Sequence, residues 1–370
     1  MSVPLLDLKA QHQTIRDEVL AAAMSVIDGQ TFILGDPVAE LECAVAGLSA
    51  TRYAVGCANG TDALLLSLRA LGVGQGDEVV TTPFTFFATA GAIHNVGARP
   101  VFVDISPTTY NISADAVAAA MTARTKAVIA VDLFGQMAPI DAIKAAAGAV
   151  PVIEDAAQSI GARRRIDDRW VMAGEAATIG TFSFFPSKNL GGWGDGGMMV
   201  TQDEALFEAL MKLRTHGSRR TYYHEIVGYN SRLDTLQAAV LYAKLPHLAQ
   251  WSARRRENAA VYDAAFASVP EIGCPVIDPR NESIFNQYTM RVTDRDALQS
   301  HLKQAGIGTS VYYPLPLHLQ PCFAYLGYQE GQCPEAERAS REVLSIPIFP
   351  ELTRAQLEEV ASTVRAFFGR

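Results

Sequence analysis

Cysteine, basic charge and long apolar runs are all scarce in this sequence of 370 residues. Its five cysteines include no CxxC pair, which argues against a disulfide framework and against a zinc site. No run reaches the roughly 18 apolar residues of a membrane span, and Asp7 and Lys9 interrupt the stretch that a signal peptide would need. The net charge of −8 argues against nucleic acid, which binds basic faces. We expect a cytoplasmic protein that binds neither membranes nor nucleic acid.

Apolar side chains, by contrast, are plentiful at 49% of the residues, enough for a large core and more than one domain. Between residues 52 and 201, β-branched runs alternate with Ala- and Leu-rich amphipathic stretches. This alternation predicts an α/β fold with a mostly parallel sheet of seven strands. We place the large domain at residues 1–250 and a smaller α+β domain at 251–370. The predicted strands are Tyr53–Cys57, Glu78–Thr82, Pro100–Asp104, Ala127–Val131, Val150–Ile153, Gly180–Phe184 and Met198–Thr201.

Polar residues that follow the predicted strands are the first candidates for a site, because ligands of such sheets bind beyond the carboxyl ends of the strands. Asn59-Gly60-Thr61-Asp62 lies between a strand and a helix, where free N–H groups can bind a phosphate. The same residues would also make an ordinary turn with a helix cap, so this motif alone leaves both interpretations open.

Two further strand ends carry groups that are unusual in a buried position. Glu154 and Asp155 end one strand, with Gln158 one helical turn beyond, and a buried carboxylate needs a partner. Lys188 follows an aromatic strand and precedes a glycine-rich stretch; burial would lower its pKa and make the amine a nucleophile. A helix-capping acid and a solvated lysine remain the simpler alternatives.

Taken together, these pieces are the parts that a pyridoxal phosphate site requires. The helix start binds the phosphate, an aromatic residue of the segment 84–87 stacks on the ring, the acid keeps the pyridine nitrogen protonated, and the lysine holds the aldehyde. No HExxH or HxH pattern indicates a metal site.

Seven ordered motifs make the sequence resemble the DegT/StrS-type nucleotide-sugar aminotransferases, which are pyridoxal phosphate enzymes of fold type I. The resemblance extends over essentially the whole chain. The motifs are Asn59–Leu64, Phe84–Thr89, Phe134–Gln136, Ile153–Gln158, Ser183–Lys188, His216-Gly217 and Asn230–Asp234.

This resemblance implies roles for individual residues. Lys188 would carry the internal aldimine of pyridoxal 5'-phosphate, and Asp155 would pair with the pyridine nitrogen. The remaining cofactor contacts would be Gly60, Thr61, Phe86, Gln158, Ser183 and Asn230, the last of these reaching in from the second subunit of a homodimer.

The implied reaction transfers the amino group of glutamate to a keto-sugar carried on a nucleotide, with Lys188 as the acid and base. Relatives that have histidine in place of this lysine dehydrate sugars, so Lys188 favours transamination. Asn286–Thr289 and Tyr312–Pro321 resemble UDP-2-acetamido-3-oxo-glucuronate aminotransferases, which points to a 3-keto UDP- or dTDP-sugar used for surface polysaccharides or glycosides. Arg232, Tyr313 and His318 are the candidate sugar contacts. The rival hypotheses are a dehydratase or lyase on the same cofactor and a non-catalytic regulatory protein.

Overall fold

A computed structural model describes residues 2–220 and 222–370 of the chain. Its largest sheet has seven strands in the order β1-β9-β8-β5-β4-β2-β3, which confirms the predicted α/β class. The strands of the described residues are β1 (Tyr53–Cys57), β2 (Glu78–Thr81), β3 (Arg99–Phe102), β4 (Thr125–Val131), β5 (Val152–Asp155), β6 (Arg163–Ile166), β7 (Arg169–Met172), β8 (Ile179–Ser183), β9 (Gly197–Thr201), β10 (Ile272–Gly273), β11 (Asn281–Glu282), β12 (Tyr288–Val292) and β13 (Val343–Ile346).

Helices cover the large sheet and surround the second one. The amphipathic stretches between the predicted strands predict helices at Asp62–Leu71, Phe87–Val96, Ala114–Met121 and Ile140–Ala147. All four form, each within two residues of these bounds. The α-helices are α1 (Leu8–Gly29), α2 (Asp36–Leu48), α3 (Gly60–Ala70), α4 (Ala88–Asn95), α5 (Ala114–Ala120), α6 (Ile140–Ala147), α7 (Glu204–Leu213), α8 (Thr235–Lys244), α9 (Leu248–Phe266), α10 (Arg295–Gln304), α11 (Pro334–Glu342) and α12 (Arg354–Phe367).

Strand direction in the large sheet changes only at β9. The strands β8, β5, β4, β2 and β3 pair in parallel, whereas β9 is antiparallel to both of its neighbours, β8 and β1. Every residue of β2, β5 and β9 is buried, as expected for strands that are covered on both faces. The carboxyl ends of β5 and β8 therefore lie side by side.

A second apolar core surrounds the three-stranded sheet β10-β12-β13 and is lined by α9, α10 and α12. Val3 also belongs to this core, and it forms a β-bridge with Ile307. The predicted change of domain at residue 250 falls inside α9, and the division of the chain into domains stays a prediction.

Two boundaries differ from the prediction in a way that matters for function. β5 runs to Asp155 rather than ending at Ile153, because its backbone stays paired with β4 and β8 up to that residue, and Glu154 and Asp155 both accept hydrogen bonds from donors outside the sheet. α3 begins at Gly60, two residues before the predicted start, because Asn59 caps it.

None of the described helices is both long and apolar enough to cross a membrane.

Candidate active site

The first turn of α3 forms a cradle of free N–H groups at the end of β1. The side chain of Asn59 caps the helix by accepting a hydrogen bond from the N–H of Asp62 at 2.9 Å. The N–H groups of Gly60 and Thr61 donate to no acceptor in the described part of the chain. Helix N-termini of this kind attract anions, since the free N–H groups and the helix dipole both favour negative charge.

Ser183, at the end of β8, lies directly against this cradle. A β-carbon added to Gly60 would come within 2.7 Å of the Ser183 β-carbon, so only glycine allows this approach. Gly197 in β9 is similarly confined, because a β-carbon added there would lie 2.3 Å from the carbonyl oxygen of Asn59. The three predicted phosphate contacts Gly60, Thr61 and Ser183 are thus brought together, although Ser183 is 123 residues further along the chain than Gly60.

Asp155 is the buried acid of the site, with 6% of its surface exposed. Its Oδ2 accepts a hydrogen bond from the Thr89 hydroxyl at 2.8 Å, and its Oδ1 accepts one from the N–H of Ala157 at 3.4 Å. Burial raises the pKa of Asp155, whereas these two hydrogen bonds and the charge of Lys188 act to lower it. A cationic partner would therefore stabilise the ionised form of this carboxyl group.

Lys188 lies in the turn after β8, close enough to Asp155 for their charges to interact. Burial lowers the pKa of Lys188 to about 8, and the charge of Asp155 opposes this shift. Near neutral pH, a lysine with this pKa has an appreciable share of free amine, the form that attacks an aldehyde.

The turn that carries Lys188 is held on both sides. Asn189, the next residue, donates to the carbonyl of Ile284 at 3.1 Å and accepts from Asn286 at 2.6 Å. From the other side, the buried ammonium group of Lys244 in α8 donates to the carbonyl of Gly191 at 2.7 Å. Contacts from two separate elements thus fix the backbone on which the reactive amine stands.

Gln158 and Tyr313 form a connected pair beside Asp155. Gln158 accepts a hydrogen bond from the N–H of Phe134 at 2.7 Å and donates to the Tyr313 hydroxyl at 3.2 Å. The ring of Phe86 lies 6.5 Å from that of Tyr313 and is 60% exposed. The exposed ring of Phe86 beside this pair offers a stacking surface for a flat ring.

Asn230 and Arg232 lie together, but at an exposed position. Arg232 donates to the side-chain oxygen of Asn230 at 2.6 Å, and Ser231 between them is buried and donates to Asp62 at 2.7 Å. Ser231 therefore ties this segment to the first turn of α3, while Asn230 itself faces outward from the chain.

His318 differs from what a sugar contact requires. Its ring is 1% exposed, and its Nε2 lies 3.1 Å from Glu337 Oε1. Glu337 in turn accepts hydrogen bonds from the N–H groups of Gly331 and Cys333. Because its ring is enclosed and its Nε2 is paired with Glu337, the structure places His318 in the packing of the loop 314–333 and not at the surface of the site.

Thr89 is a site residue that the sequence analysis did not single out. It lies at the end of the motif Phe84–Thr89, as the second residue of α4, and donates to Asp155 from there. Its hydroxyl also lies 3.2 Å from that of Thr85. The motif was visible in the sequence, but the direction of the hydroxyl depends on how α4 packs against β5.

The arrangement fits pyridoxal phosphate on its own geometry. The cradle at Gly60 suits a phosphate, Phe86 a ring face, Asp155 a protonated ring nitrogen and Lys188 an aldehyde. No group of three or more His, Cys, Asp or Glu side chains that could hold a metal ion occurs among residues 2–220 and 222–370.

Three curated relatives match this chain over almost its full length. One from Geobacillus stearothermophilus, named pleiotropic regulatory protein, is 50% identical, and the match covers 100% of this chain and 99% of the relative. A UDP-N-acetyl-3-dehydro-alpha-D-glucosamine 3-aminotransferase from Acidithiobacillus ferrooxidans is 45% identical, with 98% of this chain and 97% of the relative covered. A UDP-2-acetamido-2-deoxy-3-oxo-D-glucuronate aminotransferase from Pseudomonas aeruginosa is 43% identical, with 98% and 99% covered.

A solved structure agrees with these relatives. The crystal structure of DesV from S. venezuelae in complex with a ketimine intermediate superposes with a TM-score of 0.96 at 42% identity, covering 100% of this chain and 99% of that one. The sequence profile described as the DegT/DnrJ/EryC1/StrS aminotransferase family matches residues 13–365. With its fold, its site and this match over most of its length in agreement, the chain belongs to the DegT/DnrJ/EryC1/StrS aminotransferase family.

Proposed function

We propose that this protein uses pyridoxal 5'-phosphate to transfer the amino group of glutamate to the keto carbon of a nucleotide-linked sugar, releasing 2-oxoglutarate. The observation that carries the proposal is the half-buried Lys188, with its lowered pKa, near Asp155, together with the glycine cradle. Relatives named as 3-aminotransferases of UDP-sugars support carbon 3 as the position of the keto group. Such a reaction takes place in the cytoplasm, where nucleotide sugars are made.

In this reaction the site residues have distinct roles. Gly60, Thr61 and Ser183 bind the phosphate, and Lys188 holds the cofactor covalently. When bound, the cofactor supplies a protonated ring that accepts the electrons left on the donor carbon. Asp155 stabilises that protonated ring electrostatically. Once released, the Nζ atom of Lys188 moves the proton between the donor carbon and the cofactor.

Product analysis tests this proposal. Purified protein is incubated with glutamate and a panel of UDP- and dTDP-linked 3-keto and 4-keto sugars, and both the amino sugar and 2-oxoglutarate are measured. We expect one of each per turnover, and no product from Lys188→Ala. A dehydrated sugar without 2-oxoglutarate would show that the protein is a lyase or dehydratase instead.

The 50% identical relative with a regulatory name makes a non-catalytic role the second candidate. The two functions differ in whether the lysine is used. A regulatory protein that never binds the cofactor would yield no borohydride-trapped adduct on Lys188 after reconstitution with pyridoxal phosphate. A trapped adduct together with 2-oxoglutarate release would reject this second candidate.

The site also supports a homodimer that shares its active sites. Asn230 faces outward, and the loop before it exposes large apolar side chains, with Tyr222 at 90% and Val227 at 84%. Exposed apolar side chains clustered on one loop are typical of an interface. A second copy of the chain would cover this loop and would receive Asn230 at its own cradle, with Arg232 alongside to bind a sugar carboxylate or the diphosphate.

Subunit mixing tests the shared site. Asn230→Asp should weaken phosphate binding by repulsion between like charges, and Lys188→Ala should abolish transamination. If Asn230 acts across the interface, exchanging subunits between these two variants creates dimers with one intact site, and activity returns. If Asn230 acts within its own chain, both sites of the mixed dimer stay defective and no activity returns.

A further inference from the structure

Two carboxyl groups are buried together behind the site, and neither has a cationic partner. Asp132 directly follows β4, Glu154 is the third residue of β5, and both are 0% exposed. In the described part of the chain no Lys, Arg or His forms an ion pair with either group. The other charged groups that act on them are themselves acids, Asp155 on Asp132 and Glu175 on Glu154.

The carboxyl groups of Asp132 and Glu154 can form a hydrogen bond with each other only if one of them carries a proton. The carboxyl groups of Asp132 and Glu154 lie within hydrogen-bonding reach of each other, and ionised carboxylates are acceptors only. Without a cation nearby, two negative charges at this separation in the protein interior are strongly unfavourable. The pair therefore holds one proton and one negative charge.

The surrounding donors decide where the negative charge lies. Asp132 accepts two short hydrogen bonds, from the N–H of Ala138 and the hydroxyl of Ser159, both at 2.7 Å. Glu154 accepts a single one, from the N–H of Gly174 at 3.1 Å, and no donor in the described residues reaches its buried Oε1. The anion is thus on Asp132, and the proton is on Glu154. Burial acts in the same direction, raising the pKa of Asp132 to about 6 and that of Glu154 well above its ordinary value.

The anion of this pair is linked to the groups that hold Gln158. Ser159 directly follows Gln158, and Ala138 ends the turn that begins at Asp132 and contains Phe134. Phe134 donates its N–H to Gln158, so the turn is linked to this glutamine twice, through Phe134 directly and through the bond from Ser159 to Asp132. The N–H of Asp132 also donates to the carbonyl of Asp155 at 3.0 Å.

We propose that Glu154 is a permanently protonated positioning residue, whose hydrogen bond to Asp132 fixes the turn that holds Gln158. The link to Gln158 rests on the proposed function, whereas the protonation of Glu154 does not. Glu154 and Asp155 are consecutive residues of β5, so their side chains point to opposite faces of the sheet, and the effect of Glu154 on the site passes through this turn.

Infrared spectroscopy of the purified holoenzyme tests the protonation. At pH 8 we expect a carbonyl band of a buried carboxylic acid that shifts in D₂O and is lost in Glu154→Gln. Glu175→Gln is the matched control, because Glu175 is a nearby acid that is paired with Arg169 at 2.6 Å, and this variant should keep the band. A spectrum of Glu154→Gln that keeps the band would overturn the assignment, whatever reaction the enzyme catalyses.

Cofactor affinity tests the positioning. Glu154→Met fills a similar volume but donates no hydrogen bond to Asp132, and it should weaken pyridoxal phosphate binding roughly tenfold. Glu154→Gln still donates through its amide, and we expect it to restore the affinity to within about threefold of the wild type. Equal affinities for the two variants would refute the positioning role.

If Glu154→Met does not fold, Ser159→Ala tests the same link from the other side of Asp132. This variant removes the 2.7 Å hydrogen bond while keeping the protonated pair. It should weaken cofactor binding about threefold and leave the infrared band in place. Unchanged affinity in Ser159→Ala would then count against the positioning role.

Discussion

Replacing Gly60 by alanine should selectively weaken the binding of the cofactor phosphate. The new β-carbon would lie 2.7 Å from Cβ, 3.1 Å from Oγ and 3.3 Å from Cα of Ser183. Rotating the serine side chain cannot relieve this clash, since Cβ and Cα do not move with that rotation. The first turn of α3 must therefore shift away from β8, and its free N–H groups would shift with it.

The size of the effect follows from the cost of overpacking. An extra methyl group in a closely packed site costs about 1–3 kcal/mol. If this cost destabilises the complex with pyridoxal phosphate and not the free protein, the affinity drops roughly 5- to 150-fold, since each 1.4 kcal/mol corresponds to a factor of ten. The position has ordinary helical geometry, so the loss comes from contact and not from backbone strain.

Titration with two ligands separates the phosphate contribution from a general defect. We expect Gly60→Ala to lose affinity for pyridoxal phosphate but to bind pyridoxal, which lacks the phosphate, about as well as the wild type. Gly47→Ala is the matched control, because it is also in a helix and its β-carbon would meet no atom within 4 Å. That change should stabilise α2 by up to about 1 kcal/mol and leave both affinities unchanged. Equal losses for both ligands would refute the assignment of the cradle to the phosphate.

Three further predictions concern single side chains. Thr89→Val removes a hydrogen bond to a charged group, worth about 1.5–3 kcal/mol, and should raise the pKa of Asp155 by roughly one to two units. Carbon-13 NMR of labelled aspartate would measure this, and Thr89→Ser should reverse it. In the protein freed of cofactor, peptide-resolved reductive methylation of Lys188 should be half-maximal near pH 8. Asp155→Asn should move that midpoint lower, because the aspartate charge raises the pKa of the lysine; a midpoint near the ordinary 10.5 would contradict the burial argument. His318→Ala should lower the free energy of unfolding by about 1–3 kcal/mol without changing the KM for the sugar, whereas a higher KM with unchanged stability would make His318 a sugar contact after all.

The sequence predicts the sheet well because its strands are short, buried and separated by clear turn signals. All seven strands of the large sheet form, and Tyr53–Cys57 has the predicted bounds. The helices α1 and α2 were not predicted. The apolar positions of α1 are mixed with charged ones, and α1 packs mainly on α8, more than 200 residues away. A contact this distant leaves no local pattern in the sequence.

The candidate site was predicted in outline but not in its supporting contacts. Motifs at strand ends identify Lys188 and Asp155, because parallel strands bring their carboxyl ends to one edge. The Thr89 hydrogen bond and the protonated pair behind the site depend on which way side chains point in the packed core. Sequence spacing carries no information about that direction.

The position of β9 in the sheet has a consequence for how the chain assembles during synthesis. β1 is an edge strand of the large sheet and pairs only with β9. Of the seven strands of this sheet, β9 is the last to leave the ribosome. Until residue 201 has emerged, β1 has no strand of the large sheet to pair with, and only the packing of α3 against β8 can hold the helix start near Ser183. The contacts that fix the lysine turn come later still, from Lys244 and Ile284. Neither half of the site is therefore fixed when the strands up to β8 have been made, and we expect a nascent chain halted there to bind pyridoxal phosphate only weakly.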